Sequence, residues 1–383
     1  MAANRIFGLD LLRCLAIILV LITHTIPLLD PAGFVKISVY TGYFGVELFF
    51  VLSGFLIGTI LLKVYYQENQ LNFSNIKIFW MRRWFRTLPN YYLMFLVYGI
   101  LLYFAHHLNV FGHIRYLSYL FFLQNSVTPQ PNEFFPVAWS LSVEEWFYLI
   151  FPVLLFLLTK VFYKKRALSF LITILSIIIF ELAFRIYVAV FMHHTWDEGF
   201  RKLMPLRLDS IDVGVLAAYI KYHKPSFWIN KAKILAVFGV IILAGLALYF
   251  SPAYALQYDA VTWDHNFNAG IFLETIFFTL TSFSIALLIP FLYSINVKKG
   301  AFSNSVTFIS TISYSIYLTH LLVILVLSHI LKHYEAVKYF NILSFIIAWV
   351  VIISLSAVQY NYFEVKMTAL RNRLSRKQAA IKI

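Results

Sequence analysis

Apolar length constrains this chain before any motif does. About ten stretches, at residues 7–28, 42–62, 88–107, 139–159, 167–191, 205–220, 234–251, 270–293, 303–328 and 341–363, approach the roughly 20 apolar residues that a helix needs to cross a bilayer. Two of them are weaker: 139–159 opens on charged residues, and 205–220 is short. Within hydrocarbon a helix satisfies its own backbone hydrogen bonds, so the expected fold class is an all-α polytopic membrane protein. Composition agrees. Only 13% of the 383 residues are charged, against about 25% in an ordinary soluble domain, too few to coat the chain in water.

The formal net charge of +14 would suit nucleic acid, but its distribution points elsewhere. With the N-terminus inside, about 23 of the 31 Lys and Arg fall in inner segments and about six in outer ones. That is the positive-inside pattern, which places both termini in the cytoplasm and leaves no role for nucleic acid. Residues 1–365 are expected to form one transmembrane domain, with 366–383 a basic cytoplasmic tail. The first apolar run has no small-x-small cleavage site after it and reads as a retained span. A single cysteine, Cys14, leaves no internal disulfide and no multi-cysteine metal site.

Ionisable groups inside spans are costly and usually face a cavity or a partner. The run GLDLLRCLAIILVLITH carries Asp10, Arg13 and His24. On an α-helix Arg13 and His24 lie about 20° apart in azimuth and about 16 Å apart along the axis. One face thus holds a cation near the cytoplasmic boundary and an acid–base group in the outer half. Taken singly, each has a plainer reading, as a snorkelling arginine and an interfacial histidine. In Arg82-Arg83-Trp84-Phe85-Arg86-Thr87-Leu88-Pro89, Arg86 shares a helical face with both Arg82 and Arg83, and Pro89 is expected in the first turn of the third span. Guanidiniums beside free helix N–H groups suit a phosphate; the plainer reading is an anchor for anionic lipid heads.

Trp139-Ser140-Leu141-Ser142-Val143-Glu144-Glu145-Trp146 contains a capping box, Ser142 with Glu145, which accounts for Glu145 structurally. Glu144 has no such account and is expected to reach the depth of His24 and orient it. Glu181 and Arg185, four apart, are expected to pair. Arg207 is expected to pair with Asp209 or Asp212, or these residues line an entrance for the acceptor. Glu47 and Glu274 have no evident partner. Gly54 and Gly58 form a small-xxx-small pair suited to close helix packing. Tyr317 and His320 share the polar edge of SYSIYLTH at 313–320.

Taken in order, these strings resemble the acyltransferase-3 family of membrane O-acyltransferases: GLD with Arg13-x10-His24, FGVELFFVLSGFLIG, RRxxRxxP, WSLSVEEWFYLIFP, RLDSIDVG and SYSIYLTH. The resemblance implies a ten-span enzyme of a bacterial inner membrane. Such an enzyme uses cytoplasmic acyl-CoA, usually acetyl-CoA, to acylate a hydroxyl of an extracytoplasmic carbohydrate such as lipopolysaccharide O-antigen, exopolysaccharide or peptidoglycan. His24 matches the family's essential histidine and Arg13 its partner arginine. Arg83 and Arg86 match its arginine pair, and Glu144 with Glu145 its WSLSxEE segment. Some members carry an appended SGNH hydrolase-like domain that is not seen here, which implies transfer within the bundle or by a separate periplasmic partner.

The expected mechanism puts CoA phosphates on Arg82, Arg83 and Arg86 and threads pantetheine past Arg13 to His24. His24 then acts either as general base or as an acyl carrier. Asp10, Arg207, Asp209, Tyr317 and His320 are the candidate acceptor-binding residues, and Glu144 and Glu145 the carboxylates serving catalysis. No metal is expected. The competing class is a transporter or flippase of lipid-linked sugar, which more often shows inverted repeats or helices broken near the midplane; neither is evident.

Overall fold

The computed structural model describes residues 5–29, 35–67, 72–106, 114–130, 134–162, 165–192, 195–257, 270–331 and 340–370. Among them there is no strand. The α-helices, in chain order, are α1 (Phe7–Thr25), α2 (Val35–Gln67), α3 (Phe73–His106), α4 (Ile114–Leu117), α5 (Ala138–Val161), α6 (Arg166–Phe191), α7 (Leu208–His223), α8 (Pro225–Asn230), α9 (Ala232–Gln257), α10 (Gly270–Glu274), α11 (Ile276–Ser294), α12 (Ala301–Leu331) and α13 (Phe340–Gln359). Nine helical stretches of the described residues are long and apolar enough to cross a membrane, which makes this an all-α integral membrane protein. Most of the basic tail, residues 371–383, lies outside the described residues.

The bundle is organised around α2. Of its apolar window 72% is buried, against 22% for α9 and for α13 with its continuation, so α2 is central and the other two are peripheral. One flank of α2 packs on α1 and the other on α7; α1 also meets α11 and α12. Close approach to α7 depends on glycine: a Cβ on Gly54 would strike the Ile211 carbonyl, and one on Gly214 the Val51 carbonyl. The small-xxx-small pair therefore packs helices, as its spacing predicts.

Three local expectations change. The stretch 205–220 is not a full span. α7 has 16 residues, about 24 Å of helix, short of roughly 30 Å of hydrocarbon, and it is a buried wedge against α2, α6 and α11. Pro89 does not open a helix, because α3 runs unbroken from Phe73. The apolar residues Ile76, Phe79 and Trp80 extend the packed face below the arginines and carry the helix back from the proline. Arg82, Arg83 and Arg86 thus sit mid-helix, with no free backbone N–H groups beside them. Nor is there a capping box in α5. The helix begins at Ala138, and Ser142, already inside it, bonds the Trp139 carbonyl at 2.7 Å and the Asn125 side chain.

Between α3 and α5, the short α4 is followed by a 3-10 turn at Ser118–Phe121, a segment far too short to span. Tyr91 and Tyr92 of α3 donate to the Tyr119 and Leu120 carbonyls, and Trp146 of α5 to that of Phe122, so both helices hold it down.

Candidate active site

A narrow cavity of about 100 Å³ lies among α1, α2, α3, α5 and α12. That is room for several waters but not for a bulky ligand without side-chain movement. Arg13, Arg83 and Arg86 line it, with Ser53, Glu144, Ser140 and Tyr317. Three cations from two helices converge there because α1 and α3 both flank α12.

The three guanidiniums are not equivalent. Arg83 is held by Glu144 at 3.4 Å, by Ser53 at 3.4 Å and by a bond to the Tyr148 hydroxyl, and it lies 4.2 Å from the centre of the Tyr148 ring. Tyr148 in turn donates to Glu144 at 2.9 Å. Arg13 and Arg86 make no side-chain hydrogen bond or ion pair with any described residue, and Arg86 is exposed to the cavity it lines. Two guanidiniums that make no ion pair within the bundle are chemically suited to hold an anion. Arg82 is exposed on the helix exterior and does not line the cavity.

At the other end the Tyr317 hydroxyl shares a 2.6 Å hydrogen bond with Ser140, and beyond it stand two histidines. The Tyr317 and His320 ring centres are 5.8 Å apart, and those of His320 and His24 are 5.1 Å apart. His320 is fully buried, while His24 is partly accessible. Arg201 and Lys202, from the turn that follows α6, are within electrostatic reach of His24. Both are clamped by Asp197: burial pushes its carboxyl up, but Arg201 and Lys202 outweigh that and hold it well below the usual carboxylate range. Asn125 donates to the Lys202 carbonyl at 2.6 Å and to that of Trp139 at 3.1 Å, fixing this turn over the start of α5.

Several predicted residues have other duties. Glu144 bonds Arg83 and Tyr148, so it orients an arginine and not His24. Glu145 accepts from Thr87 of α3 at 2.7 Å and ties α5 to α3; Thr87 lines the arginine cavity, while Glu145 itself lines a neighbouring one. Asp10 is paired with Arg5 at 2.8 Å and accepts from Ser310 at 2.7 Å, joining the start of α1 to α12. Arg207 and Asp209 are wholly buried and line no acceptor entrance. Arg207 pairs with Glu47, and Asp209 pairs with Arg185 at 2.6 Å. Neither Arg207 with Asp209 or Asp212 nor Glu181 with Arg185 is the ion pair formed. Contacts between helices win over neighbours on one helix because a buried arginine needs a carboxylate in its own plane of approach, and α7 presents Asp209 to α6.

Ser53, Ser140 and Tyr314 complete the cavity wall, Tyr148 stands behind it on Arg83 and Glu144, and none of the four was singled out as a site residue in the sequence. Tyr148 was findable, since it stands one helical turn after Glu144 on the same face. Ser140 and Ser53 gave no signal beyond lying within motifs.

The family profile described as an acyltransferase domain matches residues 6–359. Among curated proteins, one named provisionally as an O-acetyltransferase, from Staphylococcus aureus strain COL, is 29% identical over 83% of this chain and 50% of its own length. The O-acetyltransferase OatA of Staphylococcus aureus strain NCTC 8325 is 28% identical over 82% of this chain and 49% of its own. The chain therefore spans about half the length of the curated relatives it matches. No solved structure matches. With a family match across nearly its whole length, this chain of membrane-spanning helices belongs to the acyltransferase-3 family.

Proposed function

We propose that the protein is an O-acetyltransferase of the bacterial inner membrane that carries acetyl groups from cytoplasmic acetyl-CoA to a hydroxyl of an extracytoplasmic carbohydrate. The observation that carries this reading is that Arg13 and Arg86, which make no ion pair with any described residue, line one cavity with Tyr317, whose ring stands beside His320 and, through it, His24. Phosphates of CoA meet Arg13 and Arg86, with Arg83 pre-set by Glu144 and Tyr148. The pantetheine arm then runs toward Tyr317, whose bond to Ser140 stands across the way and must open. The rise from Arg13 to His24, about 16 Å, is of the order of that arm.

At the far end the acceptor hydroxyl attacks the thioester carbonyl and His24 takes its proton. The C–S bond then breaks, and the departing thiolate recovers that proton from His24 as CoA leaves. Arg201 and Lys202 stand where they favour the negative charge that develops on the carbonyl oxygen. The names of the relatives, O-acetyltransferases, support the acetyl group and the ester product.

The test is incubation of purified protein with radiolabelled acetyl-CoA and bacterial envelope carbohydrate, following label and free CoA. Transfer by the wild type, lost in His24→Ala and Arg86→Ala, is expected. Transfer that persists in a well-folded His24→Ala protein rules out this role for His24. Carbohydrate translocation without acetyl-CoA consumption would mean a transporter instead.

A further inference from the structure

We propose that His320 is the positioning residue for His24, a neutral imidazole doing what a carboxylate does in a more common acid–base pair. The inference rests on the reading of His24 as the proton acceptor. His320 is completely buried, and its Nδ1 lies 2.8 Å from the Tyr317 carbonyl and 3.2 Å from that of Ile316. Carbonyl oxygens only accept, so Nδ1 carries the hydrogen. A neutral ring then has its lone pair on Nε2.

That Nε2 is buried and has no hydrogen-bond partner in the protein. An orphaned acceptor in a dry interior is unfavourable, so a donor is called for. The neighbouring His24 ring has one. With ring centres 5.1 Å apart, a modest side-chain rotation brings a His24 N–H to Nε2 at about the 2.9 Å of an ordinary bond. Once His24 donates one nitrogen to His320, its other nitrogen is a lone pair fixed in direction, free to take the acceptor's proton. The carboxylates of α5 are bonded elsewhere, Glu144 to Arg83 and Tyr148 and one oxygen of Glu145 to Thr87.

Two substitutions separate this role from packing. His320→Asn keeps a group at the Nδ1 position, able to bond the same carbonyls, and removes Nε2. His320→Gln places an amide near the Nε2 position, where its oxygen accepts. The full-length protein in lipid nanodiscs is assayed for CoA release from acetyl-CoA, with thermal unfolding as the check on folding. The expected result is a kcat lowered about 10- to 100-fold in His320→Asn with KM for acetyl-CoA unchanged, and recovery of most of it in His320→Gln. An inactive His24→Ala with a His320→Asn of wild-type kcat overturns the role of His320 alone. Wild-type release no faster than that of His24→Ala overturns the functional reading and this inference with it. A readout independent of both variants is ¹⁵N NMR of histidine-labelled wild-type protein. An N–H···N coupling between His24 and His320 is expected, and its absence contradicts the pairing.

Discussion

Two sets of arginines are embedded in this bundle, and they differ in what faces them. On the α6–α7 side, Arg185 and Arg207 are wholly buried, each on a carboxylate from another helix, and Arg207 also lies 4.1 Å from the centre of the Phe278 ring. Around α1 and α3, Arg13 and Arg86 line a cavity and form no ion pair with a described carboxylate, while Arg83 is braced by Glu144 and Tyr148. An arginine whose charge is matched inside the protein holds helices together. One that makes no ion pair inside the protein is available to an anion from outside.

Substitution should separate the two sets, and the largest effect belongs to the paired one. Arg207→Ala leaves Glu47 charged and alone in the interior, a change worth about 3–5 kcal/mol, so thermal unfolding should shift far down or folded protein should be lost. A protein that unfolds like the wild type would mean that the pair is not structural. Arg86→Ala should do the reverse. Its unfolding should match the wild type, while affinity for acetyl-CoA falls about 10- to 100-fold, the worth of a hydrogen bond to a charged group. Glu144→Gln sharpens the contrast: with Arg83 deprived of its one carboxylate and held only by Tyr148 and Ser53, KM for acetyl-CoA should rise several-fold with little change in unfolding.

A smaller effect is expected from Asp197→Asn, which removes the carboxylate that Arg201 and Lys202 share near the start of α5. Because the folded Asp197 carboxyl titrates below its unfolded value, the clamp is present above about pH 4 and is lost only on stronger acidification. The difference in stability between wild type and Asp197→Asn should therefore be flat across neutral pH and close only in acid. Narrowing of that difference already between pH 6 and 8 would contradict the clamp.

The membrane class and most helices were legible because apolar length is a one-dimensional property. α7 was the exception: its burial comes from neighbouring helices, so a short apolar run there resembled a span. The Arg13–His24 face was also legible, since one helix carries both. Partners across helices were not. Glu144 and His320 are 176 positions apart, and nothing in local spacing says that one meets Arg83 and the other His24. The same holds for Glu47, which looked isolated until α7 brought Arg207 to it. Helical periodicity reports a face; only packing reports who stands opposite.

The most direct test of the central claim, that unmatched arginines form the acyl-donor site and His24 the transfer site, is titration of unacylated CoA into wild type, the double variant Arg13→Ala/Arg86→Ala, and His24→Ala. The account predicts binding by the wild type and by His24→Ala with similar affinity, and loss of binding in the double variant with unfolding unchanged. Equal affinity in all three would show that the cavity is not where CoA is held.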